Sequence, residues 1–98
     1  MKPDEAHLLQ ALCAINDPAE MHRVLSDLLT RSEVAALRKR WAILCLLREG
    51  VPQREIARRI GGSLCNVTRG ARLMRDPASA SAVLMDRLDK KAAGKARG

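Results

Sequence analysis

Phenylalanine and tyrosine are absent from these 98 residues, and Trp41 is the one aromatic side chain. Binding of unpaired bases by stacking takes several exposed rings, so a single-strand platform of the RRM or OB type is disfavoured. Cysteine is scarce as well: Cys13, Cys45 and Cys65 are scattered, with no C-x-x-C. Such thiols make neither a disulfide framework nor a zinc site. Cys13 and Cys45 read as small core residues in a reducing compartment. His7 and His22 lack companions at metal-ligand spacing, so no metal is expected. The longest fully apolar run, residues 41–47 (WAILCLL), is far too short to span a bilayer. Residues 1–5 are polar and acidic, unlike a signal peptide. The expectation is a cytoplasmic protein with no membrane partner. No Ser/His/Asp or Cys/His constellation, paired-carboxylate site or phosphate-cradling loop stands out, so no catalytic residue or cofactor is assigned and an enzyme is not expected.

What the chain has is positive charge and helical periodicity. It carries 18 Lys and Arg against 11 Asp and Glu, a net +7. That excess suits a polyanionic partner, although ordinary solubility accounts for it equally well. Nothing alternates with period two, so the fold class is all-α. Residues 4–15 place Leu8, Leu9, Leu12 and Ile15 on one face. Asp17-Pro18 reads as a cap and first turn for a helix over 18–29, with Met21, Val24, Leu25, Leu28 and Leu29 inward. Thr30 to Glu33 has the form of a capping box opening a long helix over 31–49. The second half of that helix is apolar nearly all round, which demands burial on most sides. A chain this small cannot surround it alone, so a homodimer is expected. Gly50 stops the helix. Short helices follow over 53–60 and 64–75, and Asp76-Pro77 caps a last one over 78–90. Residues 1–90 read as one domain, and 91–98 as a basic disordered tail with almost nothing apolar to bury.

Residues 53–75 carry the function. Ile56 and Ile60 lie one turn apart, Ala57 is small where a second helix crosses, Gly61 sits at the turn, and Leu64 and Val67 return to the core. This is the helix-turn-helix pattern. Its polar face holds Arg54, Arg58, Arg59, Arg69, Arg72 and Arg75 against Glu55 alone. The first helix would cross the DNA backbone and the second would enter the major groove by its N-terminus. Ser63 is the expected N-cap, offering a phosphate site. Leu64, Cys65, Asn66 and Thr68 are in reach of base edges, with Asn suited to adenine and Leu and Cys to a thymine methyl. Gln53 and Arg54 would hold phosphates. Asn66 also reads as an ordinary helix-surface residue.

These residues resemble the Trp repressor family from about Leu28 to Leu88. The most specific pieces are LLT…E at 28–33, the Arg at 40, LLREG at 46–50, QREIA at 53–57 and NVTRG at 66–70. The resemblance implies a six-helix intertwined homodimer, a transcriptional repressor that binds double-stranded operator DNA with L-tryptophan as corepressor, acting on tryptophan biosynthesis or transport genes. It implies that Arg40 and Arg69 sandwich the indole and that Gly70 leaves room for it. Thr30 and the backbone near Asp27 and Leu29 would hold the amino acid's polar end across the dimer. The DNA contacts it implies are Gln53, Arg54, Ser63, Leu64, Cys65, Asn66 and Thr68, with Arg75 on a phosphate. Helix-turn-helix dimers, the Trp repressor among them, bind half-sites about 34 Å apart. Each ligand residue has a plainer reading: Thr30 as an N-cap, Arg40 as a surface charge, Arg69 as a phosphate contact. The family's Ser one turn after TRG is Leu73 here, which removes a hydrogen bond worth about 0.5–1.5 kcal/mol. Two further readings follow: a regulator of the same fold with another ligand or none, and a dimeric nucleic-acid-binding module driven by charge.

Overall fold

The computed structural model describes residues 1–61 and 64–97, with side chains through residue 92. The described residues form six helices and no strand: α1 (Pro3–Cys13), α2 (Pro18–Leu28), α3 (Arg31–Arg48), α4 (Gln53–Ile60), α5 (Leu64–Arg75) and α6 (Ala80–Arg97). None of them is long and apolar enough to cross a membrane. The chain divides into two compact units, Met1–Leu37 and Arg38–Gly98.

In the first unit, local chemistry sets the helix ends. Pro3 starts α1 with Asp4 and Glu5 in its first turn, where the helix dipole favours acids. The Asp17 side chain accepts from the Ala19 N–H at 3.3 Å, and Pro18 opens α2. Leu29 is extended and breaks the chain before α3. The capping box is reciprocal: the Glu33 N–H donates to Thr30 Oγ1 at 3.2 Å, and the Thr30 N–H donates to Glu33 Oε1 at 2.8 Å. That bond holds the Glu33 carboxyl below its ordinary pKa. No residue of α1 or α2 is fully buried. Leu8, Leu9 and Leu28, expected inward, are exposed, as is Cys13, expected in the core. Their apolar faces find too little protein within the unit to cover them.

The second unit has a core of its own. Ile43, Ile56 and Val67 form it, with Leu46, Leu47, Val51, Ala57 and Ile60 packed around them. Full burial of residues this size stabilises by about 1.5–3 kcal/mol each. Helix α3 ends in a Schellman arrangement: Gly50 adopts φ +87°, its N–H donates to the Leu47 carbonyl, and the Val51 N–H donates to that of Leu46. Ser79, not Asp76, caps α6. Its Oγ accepts from the Ala82 N–H at 3.2 Å and donates to the Leu73 carbonyl at 2.8 Å, while Asp76 Oδ1 accepts from the Ala78 N–H to shape the turn. Helix α6 reaches Arg97, beyond position 90, through residues rich in alanine and lysine, both strong helix formers. Arg48 ties α6 to the end of α3, with its Nε 2.9 Å from Asp89 Oδ2 and its Nη2 on Asp86. Trp41 remains 37% exposed, and Cys45, expected in the core, is half-buried.

Candidate nucleic-acid interface

Helix α4 is two turns long, and its apolar positions 56, 57 and 60 face α5. Ile56 has no exposed surface, and Val67 on α5 is 1% exposed. Gly61 ends α4 in the left-handed region at φ +66°, with its N–H donating to the Ala57 carbonyl. Nothing lies within 4 Å of a Cβ built there, so glycine answers the backbone angle and not a lack of space. These features assemble a helix-turn-helix. Ser63, the expected N-cap of α5, lies outside the described residues.

Helix α5 has two faces. Val67, Gly70 and Ala71 are buried. A Cβ on Gly70 would sit 3.2 Å from each of Ile43 Cγ2, Leu44 Cδ2 and Leu47 Cδ1. Gly70 thus sits where α5 approaches α3 closely, a packing reason for glycine that the sequence does not reveal. The other face is open: Cys65, Asn66, Thr68, Arg69 and Arg72 are exposed, and so is Leu64 at 54%. Leu64 therefore does not return to the core as its spacing suggests. It stands on the outer surface with Thr68, one turn away, and Arg72. Asn66 lies on the flank of Arg69, and Leu73, 38% exposed, follows on that side. The structure keeps Leu64, Cys65 and Thr68 near the leading end of α5. It also brings Gln53 and Arg75 together at one recess of about 450 Å³, floored by Leu47, Ala71 and Met74.

The arginines are not equivalent. The Glu55 carboxylate accepts from Arg58 Nε at 3.0 Å and from Arg59 Nε at 2.9 Å. Arg58, then Arg59, holds the Glu55 carboxyl down to about 2. Arg54, Arg69, Arg72 and Arg75 are exposed and form no ion pair among the described residues. The E-x-x-R-R spacing contains this clamp, because residues three and four apart meet on a helix. Arg40 is exposed on α3; Thr30, Asp27 and Leu29 belong to the first unit, with Thr30 in the capping box. Among the described residues, no group of three or more His, Cys, Asp or Glu is placed to hold a metal.

An all-helical chain whose second unit is built around an exposed, arginine-rich helix-turn-helix is a DNA-binding regulator of transcription by class. The Trp repressor protein family matches residues 5–89, and the chain belongs to that family. It is 37% identical over 70 residues to the Trp operon repressor homolog of Xylella fastidiosa strain M23, covering 70% of this chain and 76% of that protein. The homologs of strains Temecula1 and 9a5c match to the same extent. No solved structure matches. Family membership makes the protein a Trp repressor-like regulator.

Proposed function

We propose that the protein is a homodimeric repressor that reads operator DNA through α5, with L-tryptophan as corepressor, on genes of tryptophan biosynthesis or transport. The observation that carries the DNA half is the division of α5 into a buried face and an open face. Val67, Gly70 and Ala71 anchor the helix, while Leu64, Cys65, Asn66 and Thr68 stand free of the core at its leading end. Ser63, outside the described residues, is carried as the expected phosphate contact. Gln53, Arg54 and Arg75 supply phosphate contacts, which set register without reading sequence. The dimer rests on the first unit, which buries no side chain of α1 or α2 and leaves Leu8, Leu9 and Leu28 exposed. Apolar surface of that kind calls for a partner, and a second copy is the economical one. The reading carries a cytoplasmic location, where operator DNA is found.

Support for tryptophan comes from the family and from the names of the relatives. Arg40 and Arg69, both exposed, are the pair proposed to hold the indole, each such contact being worth on the order of 1 kcal/mol. Gly70 and Leu73 would border the ring; Thr30 and the backbone at Asp27 and Leu29 would hold its polar end. Two observations favour the alternative, a regulator with another ligand or none. Leu73 replaces a hydrogen-bonding serine, and the space over Gly70 is taken by Ile43, Leu44 and Leu47.

The test is calorimetric titration of L-tryptophan into the dimer, because Trp41 confuses fluorescence. Heat that disappears in Arg40→Ala and in Arg69→Ala supports the corepressor. A folded dimer that gives no heat at millimolar ligand selects the alternative. Duplex binding is measured alongside, with and without tryptophan. Equal affinity for a selected and a random duplex would mean charge-driven binding, since base readout creates a specificity ratio.

A further inference from the structure

Helix α4 presents three arginines, and only Arg54 is without an acidic partner among the described residues. Arg58 grips Glu55 through both Nε, at 3.0 Å, and Nη2; Arg59 adds its Nε at 2.9 Å to the same carboxylate. The fork of Arg58 that fits a carboxylate is also the fork that fits a phosphate. The cluster is open to solvent on the outward side of the helix, with Arg58 72% and Arg59 50% exposed. It lies on the side of α4 away from Ile56 and Ile60, and Arg58 stands one turn beyond Arg54, the residue proposed to hold a phosphate. Two nominal cations thus present a single net charge.

Resting on the DNA-binding reading, we infer that Glu55 limits phosphate contact: by occupying Arg58 and Arg59 it withholds them from the DNA backbone, lowering duplex affinity and its salt dependence irrespective of sequence. Sequence-independent affinity grows with each phosphate that a cation neutralises, and its salt dependence grows with it. A carboxylate already seated in both guanidinium groups competes with every phosphate alike, operator or not. The Glu55 carboxyl, held down to about 2, stays ionised at any pH used for binding, so the competition is constant.

The experiment measures dissociation constants of the full-length protein across a salt series. One probe is a random duplex of about 30 base pairs, and the other is a duplex that the wild type has enriched from a randomised pool. Glu55→Gln keeps the shape of the side chain and removes its charge. It should tighten binding of both duplexes about tenfold at low salt, steepen the log–log salt slope by about 0.9 per freed arginine, and leave the ratio of selected to random affinity nearly unchanged. Unchanged slopes, or equal weakening on both probes, would overturn the inference; the latter would make Glu55 a support for α4 alone. Circular dichroism and thermal melting check the fold. The neutral triple variant Glu55→Gln/Arg58→Gln/Arg59→Gln tests the same point without leaving an unpaired charge. Its random-duplex slope should fall by less than one phosphate contact from wild type, and a fall of nearly two would show that both arginines already hold phosphates. If the wild type binds no duplex at all, the DNA reading fails and this inference with it; if it binds and Glu55→Gln leaves its slope unaltered, only this inference fails.

Discussion

In the first unit Leu8, Leu9 and Leu28 face solvent and no residue of α1 or α2 is fully buried, whereas in the second Ile56 and Val67 are sealed almost completely. Both stretches carry helical apolar periodicity. The difference is in what meets the periodic face. Around α4 and α5 the chain turns back within a few residues, at Gly50 and Gly61, and supplies its own second layer. Helix α2 has a well-made start at Asp17, yet its apolar face is only partly buried. Sound caps therefore make a helix and do not by themselves make a core: capping is worth about 0.5–2 kcal/mol, while most helical stability in proteins comes from packing.

The largest effect that sharpens this contrast should come from truncating the core. Ile56→Ala should cost about 2–5 kcal/mol in urea unfolding. Leu28→Ala, in protein diluted to the dissociated chain, should cost only a few tenths, and comparable losses at the two sites would break the comparison. Gly70→Val comes next. Three side chains of α3 stand 3.2 Å from the position of the new Cβ, so overpacking should lower stability by about 1–3 kcal/mol, read as a reduced melting temperature with helical content retained. Thr30→Ala removes one side of the capping box and should cost about 0.5–2 kcal/mol. If the first unit takes its order from a second copy, sedimentation should show weaker association as well. The smallest effect is in acid. The folded-state pKa of Glu55 is depressed to about 2 from the ordinary 4.5. Its contribution is therefore present above about 4.5 and is lost as the pH falls toward 2. Unfolding curves across that window should flatten for Glu55→Gln relative to wild type.

Much of the architecture is legible in the sequence because the signals are local. The capping box at Thr30 and Glu33, the Asp17-Pro18 start of α2 and the glycine stops at 50 and 61 need only a few neighbouring residues, and each forms as its chemistry requires. The buried positions 56 and 67 follow from spacing. What spacing misses depends on contacts between distant residues. Leu64 has the right offset for the core but lies at the start of α5, past the reach of α4, and points outward. The start of α6 shifts to Ser79 because its hydroxyl also reaches the Leu73 carbonyl, a tertiary bond that outweighs the Asp-Pro signal. Resemblance, carried by motifs from Leu28 onward, passed over the first helices, yet the family match begins at residue 5. The Glu55 clamp is the opposite case, local and readable, but hidden behind a count of charges that treated six arginines alike.

The contact at Gly70 also leaves a mark on how such a protein can evolve. A side chain at position 70 would enter the volume held by Ile43, Leu44 and Leu47, so it can grow only if one of them gives way. A lineage drifting away from glycine at 70 should show a smaller residue at 44 or 47 first, since the reverse order passes through a damaged intermediate. The exposed residues of the reading end, Leu64, Asn66 and Thr68, share no such volume and can change one at a time. Operator preference can then wander quickly while the joint that holds the reading helix changes only in matched steps.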